Sequence, residues 1–241
     1  MRNILVTGGS RGLGFAVAKK LARSADRVIA VARKAGPEFE EAARNAAPGA
    51  IDFVTGDLAD IDALPALVRD IRKKFGPLYG LVNNAGLGTE GLLATMHNSK
   101  IEALVRLNTL SPIVLTKYVV RSMMADGQGR IVNMSSIIGS TGFNGLAAYG
   151  ATKASMIGFT KSLAREVGKL GITVNAVSPG FIETELTGSM DDDDRARIAN
   201  RSALRRLADA EDVAAAVAYL LSDAARNITG TVLTVDAGST A

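Results

Sequence analysis

Seven short apolar segments, each four to six residues long, recur along the chain and alternate with helical patterns. They lie at 3–6, 27–32, 51–54, 80–83, 130–134, 173–177 and 232–235. Most of them are unbroken apolar runs, which is typical of strands that helices cover on both faces. Strands that alternate with helices predict an α/β fold, a doubly wound parallel sheet of about seven strands.

The composition fits one domain that spans residues 1–241. A chain of 241 residues with 47% hydrophobic and 22% charged residues can bury a large core, and no shift in composition marks a second domain. The first strand begins at residue 3, which leaves no room for a targeting peptide, and the apolar run at 113–120 is short and contains Lys117. We therefore expect a cytoplasmic protein that does not bind a membrane.

Metal and nucleic-acid sites are not expected. The chain has no cysteine, and its one histidine, His97, cannot form a zinc site; it is expected to be solvated or to cap a helix. The four consecutive aspartates at 191–194 point around a helix axis, so they cannot converge on one ion and are expected to face solvent at a helix N-terminus. The net charge of +4 comes from dispersed basic residues without interleaved aromatics.

A glycine-rich loop follows the first strand directly and leads into a helix. The loop reads Thr7-Gly8-Gly9-Ser10-Arg11-Gly12-Leu13-Gly14. Glycines here allow a sharp turn and a close approach to a pyrophosphate, whose charge would lie at the helix N-terminus. The strand, loop and helix together are typical of a Rossmann-type dinucleotide site.

The residues Tyr149 and Lys153 lie four apart in a predicted helix from about 147 to 170, so their side chains share one face. An ammonium group about 4 Å away favours the phenolate, so we expect Lys153 to lower the pKa of Tyr149 toward working pH. Ser136, thirteen residues before Tyr149, offers a hydroxyl that can polarise a carbonyl oxygen. Ser135 is a rival for that role, but the thirteen-residue spacing to Tyr149 favours Ser136. The spacing predicts proton transfer to a carbonyl.

The second predicted strand, 27–32, is followed directly by Arg33 and Lys34, where an NAD site usually has an acidic residue. Together with Arg11, Arg33 favours the additional phosphate of NADP, which a guanidinium can bind through two hydrogen bonds. The alternative is that both arginines are ordinary surface residues.

Five motifs together resemble the short-chain dehydrogenase/reductase family in its single-domain form. They are the glycine loop, Asn83-Asn84-Ala85-Gly86, Ser136, Tyr149 with Lys153, and Pro179-Gly180. The resemblance implies an NADP(H)-dependent oxidoreductase with Ser136, Tyr149 and Lys153 as catalytic residues. It implies further cofactor contacts from Gly8, Ser10, Arg11, Gly12, Leu13, Gly14, Arg33, Asp57, Leu58, Asn84, Gly86, Tyr149, Lys153, Ile182 and Thr184.

In this family an asparagine completes the proton relay through a water held by its carbonyl group, and Asn108 matches it. Pro112, four residues later, has no N–H to donate to that carbonyl, so the helix should kink there. Alternatively, Asn108 only tolerates the bend.

Several stretches are most similar to bacterial 3-oxoacyl-acyl-carrier-protein reductases, including 161–167, 171–175 and 179–184. Reductases of that group present arginines to the acidic carrier, and this chain has Gly127 and Leu170 there instead. Lys169, Arg121 and Arg130 are possible substitutes. The alternatives are an NADP(H)-dependent reductase of another ketone or alcohol without a carrier protein, and a nucleotide-sensing protein without catalysis.

The resemblance also implies a homotetramer, assembled through the apolar helices at 101–124 and around Tyr149, and a substrate lid at about 183–205. The lid carries substrate specificity, and its mixture of apolar and charged residues does not identify the ligand.

Overall fold

One parallel sheet of seven strands forms the centre of the protein in a computed structural model that describes residues 1–24, 26–182 and 192–241, with backbone only for 192–194. The strands are β1 (Asn3–Thr7), β2 (Arg27–Ala32), β3 (Ile51–Thr55), β4 (Leu78–Asn83), β5 (Gly129–Met134), β6 (Ile172–Pro179) and β7 (Val232–Val235). All seven predicted strands are confirmed, with ends that shift by at most two residues.

Helices flank the sheet. They are α1 (Gly12–Ala22), α2 (Pro37–Asn45), α3 (Leu64–Phe75), α4 (Asn98–Val105), α5 (Ser111–Asp126), α6 (Ile138–Thr141), α7 (Ala147–Val167), α8 (Asp192–Arg201) and α9 (Ala210–Leu221). Short 3-10 turns cover Leu93–Thr95, Gly168–Leu170 and Asp223–Ala225. Among the helices in the described part of the chain, none is long and apolar enough to span a bilayer.

The strand order is β3-β2-β1-β4-β5-β6-β7. The chain therefore winds outward from β1 to one edge, crosses over, and continues outward from β4 to the other edge. All the pairings are parallel, with β1 paired to both β2 and β4. The order reverses between β1 and β4, and ligands of open α/β sheets bind beyond the carboxyl ends of the strands at such a point.

Two apolar cores lie on the two faces of the sheet. Alternate residues of a strand point to opposite faces, so Leu5 packs with α3, α5 and α7, whereas Ile4 and Val6 pack with α1 and α9. All three side chains are fully buried. Full burial of one such side chain contributes about 2 kcal/mol. This two-sided burial explains why the strands read as continuous apolar runs, and it confirms the Rossmann-type α/β fold.

The predicted helix at 101–124 is interrupted. A π-helical turn at Arg106–Leu110 separates α4 from α5, and the N–H of Ser111 donates to the carbonyl of Arg106. Pro112 cannot donate the N–H that a regular helix would give to Asn108, so the chain accommodates one wider turn. The predicted irregularity takes this form, and it lies at the proposed catalytic asparagine.

Two smaller expectations concern polar residues near helix starts. His97 is exposed and immediately precedes α4. The helix α8 begins at Asp192, so three of the four consecutive aspartates lie in its first turn, whereas Asp191 lies outside the described residues.

Candidate active site

The carboxyl ends of four strands bring distant motifs to one edge of the sheet. Gly8 follows β1, Asn84 follows β4, Ser136 follows β5 by two residues, and Pro179 ends β6. The N–H of Ile137 donates to the carbonyl of Pro179 at 3.0 Å, which joins the last two of these segments. The geometry therefore gathers motifs that are more than 170 residues apart in the chain.

The glycine loop is built around positions that admit no side chain. Gly8 has a φ of 64°, a left-handed conformation that favours glycine. A side chain on Gly14 would collide with the carbonyl of Gly8 and with the amide of Asn84. The loop and the first turn of α1 therefore pack backbone against backbone, as a pyrophosphate site requires.

Thr7 connects the glycine loop to the β4 loop. Its hydroxyl accepts the N–H groups of Asn84 at 2.9 Å and of Ala85 at 3.0 Å, and it donates to the carbonyl of Val82 at 3.2 Å. The Asn84 amide donates to the carbonyls of Thr7 at 3.0 Å and Gly8 at 3.3 Å. The sequence identified Asn84 but gave no role to Thr7, since these bonds span more than 70 residues.

The side chains of Ser136 and Tyr149 lie close to each other, and the Ser136 hydroxyl lowers the pKa of the phenol. Ser136 lies in the segment that follows β5, and its oxygen also accepts the N–H of Ile138 at 3.3 Å. Ser135 is buried, and its hydroxyl donates instead to the backbone carbonyl of Lys153 at 2.9 Å. Of the two serines, the structure therefore brings Ser136 to the phenol.

Lys153 is buried beside Tyr149. Its Nζ lies 5.6 Å from the centre of the Tyr149 ring and donates to the carbonyl of Met134 at 3.0 Å. Burial lowers the pKa of Lys153 to about 8, because desolvation penalises the ammonium form. A proton on this lysine is therefore exchangeable close to physiological pH.

The pKa of Tyr149 departs from the prediction. Burial raises it above the ordinary tyrosine value, and the Ser136 hydrogen bond partly opposes that rise. The expectation that Lys153 brings the phenol toward working pH is wrong for this arrangement, because desolvation dominates and the Nζ is directed to Met134. A high pKa keeps Tyr149 protonated, which suits a proton donor.

Asn108 lies in the π turn and is 2% exposed. Its Oδ1 accepts the N–H of Leu87 at 2.8 Å, and its Nδ2 donates to the carbonyl of Leu87 at 2.9 Å. The Nδ2 also donates to the hydroxyl of Thr152 at 3.2 Å, which in turn donates to the carbonyl of Tyr149 at 2.7 Å. The side chain thus connects the β4 loop to the helix that carries Tyr149 and Lys153. Sequence reasoning considered only the carbonyl of Asn108 and missed this connection.

Gly86 lies close to Asn108 and Lys153, where a side chain would crowd both groups. A Cβ at this position would lie 3.2 Å from the Oδ1 of Asn108 and 3.7 Å from the Nζ of Lys153. A cofactor that approaches the lysine along the β4 loop needs that space. The arrangement therefore fits the cofactor contacts that the sequence assigns to Gly86 and Asn84.

The other predicted cofactor residues border the same edge of the sheet. Arg11 immediately precedes α1, Arg33 follows β2, and Asp57 follows β3; all three are exposed. In the glycine loop, Ser10 is buried, Gly12 is the exposed first residue of α1, and Leu13 is half-buried. Leu58 and Ile182 are buried. Thr184 lies outside the described residues, as do positions 183–191 of the predicted lid.

Comparison with known proteins gives consistent relatives. A family profile described as enoyl-(acyl carrier protein) reductase matches residues 8–240. The chain is 40% identical to the 3-oxoacyl-[acyl-carrier-protein] reductase FabG of Escherichia coli, over 97% of this chain and 95% of that protein. The corresponding FabG of Haemophilus influenzae is 40% identical over 97% and 96%. The acetoacetyl-CoA reductase of Allochromatium vinosum is 38% identical over 98% of each chain.

These matches cover nearly the whole chain, at identities well above the level at which only the fold is shared. They agree with the strand order, with the glycine loop and with the proximity of Tyr149 to Ser136 and Lys153. The chain therefore belongs to the short-chain dehydrogenase/reductase family of oxidoreductases.

Proposed function

We propose that this enzyme uses NADPH to reduce 3-oxoacyl thioesters, presented by acyl carrier protein, to 3-hydroxyacyl thioesters in fatty-acid synthesis. The observation that carries the proposal is that the Tyr149 phenol lies beside both the Ser136 hydroxyl and the buried Lys153. A protonated phenol and a second hydroxyl at one point suit the oxygen of a carbonyl group. The relatives named as reductases of 3-oxoacyl and acetoacetyl thioesters support this substrate class.

The residues have distinct roles in the proposed reaction. Tyr149 gives its proton to the carbonyl oxygen, and Ser136 donates a hydrogen bond that stabilises the developing negative charge. Lys153, with a pKa lowered to about 8, can pass a proton toward Tyr149 and can hold the cofactor ribose. Asn108 holds the loop after β4 against α7 through its hydrogen bonds to Leu87 and Thr152. When bound, the cofactor supplies hydride to the carbonyl carbon.

The glycine loop, Asn84 and Gly86 would hold the cofactor along the carboxyl ends of β1 and β4. Arg33 and Arg11 support the choice of NADPH, because both are exposed cations beside the place where the adenosine ribose of such a cofactor lies. Asp57 and Leu58 would contact the adenine, and Ile182 and Thr184 the nicotinamide.

The carrier is the least constrained part of the proposal. Gly127 ends α5 with a φ of 66°, a conformation that disfavours an arginine there. Arg130 is buried, with its guanidinium 5.5 Å from the centre of the Tyr79 ring and 4.0 Å from Asp223. It is therefore a poor substitute for a docking arginine. Arg121 and Lys169 are exposed and support docking of an acidic carrier.

A second candidate is the reduction of the same β-ketothioester on coenzyme A, or of another ketone, without a carrier protein. The Allochromatium vinosum relative and the absence of arginine at 127 and 170 favour it. The chemistry at Tyr149 is the same in both cases, so only the carrier distinguishes them.

We also propose a cytoplasmic homotetramer. Val105, Leu110 and Met124 are exposed apolar residues on α4, the π turn and α5. Burial of such a surface against a second copy would stabilise an assembly. Light scattering should give four times the chain mass of 25.1 kDa, and a monomer would contradict the proposal.

The decisive experiment compares 3-oxoacyl-acyl-carrier protein with acetoacetyl-CoA, each with NADPH and NADH, by loss of reduced-nicotinamide absorbance. Tyr149→Phe should reduce kcat by at least ~100-fold, while the Kd for NADPH stays within about 3-fold. Tyr219→Phe, which removes an exposed phenol, is the matched control. NADPH binding without turnover of any thioester would instead support a nucleotide-sensing protein.

A further inference from the structure

Two phenylalanine side chains pack against each other beside the proposed catalytic residues. The rings of Phe143 and Phe181 lie edge to face, with centres 5.8 Å apart and an angle of 64° between the planes. Phe143 follows α6 and precedes α7, the helix of Tyr149, and Phe181 lies two residues after the end of β6. The pair therefore joins the two segments on either side of the proposed reaction centre.

The loop of Phe143 and the segment just before Phe181 are held by backbone hydrogen bonds close to the proposed catalytic residues. The carbonyl of Phe143 accepts the N–H of Leu146 at 3.2 Å, and the carbonyl of Leu146 accepts the N–H of Gly150 at 2.7 Å. On the other side, the carbonyl of Pro179 accepts the N–H of Ile137 at 3.0 Å. Phe143 is thus tied to the first turn of α7, and the Phe181 segment is tied to the residue after Ser136.

The ring of Phe143 retains a large exposed surface. The residue is 53% exposed although its neighbour Phe181 covers one side. A phenylalanine that is held in place but left half open near a reaction centre is typical of a ligand-binding wall, because an apolar ligand gains from covering it.

A second apolar segment lies near the same loop. The N–H of Gly91 donates to the carbonyl of Gly145 at 3.0 Å, so the β4–α4 loop contacts the loop of Phe143. Leu92 and Leu93, which follow Gly91, are 60% and 56% exposed. We name Leu92, Leu93, Phe143 and Phe181 the apolar rim.

Two of the three segments that form this rim, the loops of Leu92 and of Phe143, carry little charge. In residues 86–96 and 142–148 the one ionisable side chain is Glu90, which is acidic. A carboxylate or phosphate group on a ligand would find no cation from these two loops and would be repelled by Glu90. A neutral, apolar ligand segment fits this surface best.

We propose that the acyl chain of the substrate, beyond its reacting carbonyl, lies against the Phe143 and Phe181 rings, so that Phe143 determines chain-length specificity. This inference rests on the proposed reduction of 3-oxoacyl thioesters. An acetoacetyl group ends in a methyl group directly beyond its reacting carbonyl, whereas a 3-oxodecanoyl group continues as a long alkyl chain that can lie against the rings. The enzyme then prefers medium-length chains to acetoacetyl.

The test measures kcat/KM for acetoacetyl-CoA and for 3-oxodecanoyl-CoA with NADPH. Wild-type enzyme should favour the longer chain. Phe143→Ala should lower kcat/KM for 3-oxodecanoyl-CoA by at least ~10-fold and change the value for acetoacetyl-CoA by less than about 3-fold. Leu170→Ala, which removes an exposed apolar side chain near the opposite edge of the sheet, should leave the ratio unchanged. Phe143→Leu retains an apolar side chain, so its ratio of kcat/KM for 3-oxodecanoyl-CoA to kcat/KM for acetoacetyl-CoA should lie between those of wild type and Phe143→Ala.

The outcomes separate this inference from the proposed function. An active wild-type enzyme whose two kcat/KM values fall equally in Phe143→Ala, or do not fall, overturns the role of Phe143 and leaves the proposed reaction intact. An enzyme that reduces neither thioester, yet binds NADPH, overturns the proposed function itself. If Phe143→Ala does not fold, the same ratio in Phe143→Leu decides the matter.

Discussion

The carboxamide of Asn108 holds the backbone of Leu87 through two hydrogen bonds, of 2.8 and 2.9 Å. Asn108 lies in the π turn before α5, and Leu87 lies in the loop after β4. A third bond to Thr152 extends the contact to the helix of Tyr149. One buried side chain therefore fixes the relative positions of the loop after β4 and the helix that carries Tyr149.

We predict that Asn108→Ala destabilises the protein and impairs catalysis together. The substitution leaves the N–H and carbonyl of Leu87 without their partners, which costs about 1 to 3 kcal/mol for each group that remains buried. Because both bonds to Leu87 are only partly buried, the free energy of unfolding from urea denaturation should fall by about 1 to 3 kcal/mol, and kcat should fall with it. Asn45→Ala, at an exposed position in α2, should change neither quantity. A stable Asn108→Ala variant would show that this contact is dispensable.

Ser136→Ala should shift the pH dependence of the reaction. The Ser136 hydrogen bond lowers the pKa of Tyr149, so its removal raises that pKa further. In the direction of alcohol oxidation, the ionised phenol acts as the base, and activity rises with pH through this pKa. The rising limb of the residual kcat profile should therefore move to higher pH in Ser136→Ala. Ser136→Thr, which retains a hydroxyl, should keep the limb closer to the wild-type position. A limb that moves to lower pH would contradict the assigned hydrogen bond.

Lys153→Met should stabilise the protein near neutral pH. The pKa of Lys153 is about 8 in the folded protein, compared with 10.5 for a solvated lysine in the unfolded chain. The folded state therefore binds this proton more weakly. The free-energy cost of burying the Lys153 ammonium is fully present below about pH 8, and it disappears as the pH rises toward the unfolded pKa of 10.5. It amounts to about 3 kcal/mol, and loss of the bond to Met134 opposes the gain by about 1 kcal/mol.

The net gain in the free energy of unfolding should be about 2 kcal/mol at neutral pH and should vanish by about pH 10. Denaturant titrations across this range measure it. Lys161→Met replaces an exposed lysine on the same helix and should show no such pH dependence. Equal stabilities of the Lys153→Met and wild-type proteins at every pH would refute the assigned burial cost.

Arg33→Ala should weaken NADPH use selectively. If Arg33 binds the additional phosphate, its loss should raise KM for NADPH by about 10-fold or more, because a charge-assisted pair contributes about 1.5 to 3 kcal/mol. The KM for NADH, which lacks that phosphate, should stay unchanged. Arg44→Ala removes an exposed arginine from α2 and serves as the control. An equal rise in KM for NADPH and NADH would mean that Arg33 does not bind the additional phosphate.

Features that depend on local sequence were predicted well. The seven strands were recognisable because each one is buried on both faces and therefore apolar throughout. The irregular turn at Asn108 followed from Pro112, whose missing N–H acts four residues away. The helix of Tyr149 and Lys153 was predicted to end at 170, and α7 with its terminal 3-10 turn ends there.

Features that depend on distant contacts were missed or mistaken. Arg130 is buried, and its guanidinium lies against Tyr79 and 4.0 Å from Asp223, which belong to other elements. The bond from Lys153 to Met134 connects α7 to β5, and it accompanies the burial that sets both pKa values at the site. Pair spacing within one helix could not predict that desolvation outweighs the attraction between Lys153 and Tyr149.

The sequence by itself determined the parallel α/β fold and the glycine loop, because strand burial and turn formation act over a few residues. It also identified Ser136, Tyr149 and Lys153 as candidate catalytic residues. Only the tertiary structure decided what Asn108 holds, which protonation states are favoured, and that Ser135 donates to the carbonyl of Lys153. Those outcomes depend on how much water the surrounding elements exclude and on which distant groups they bring within hydrogen-bond distance.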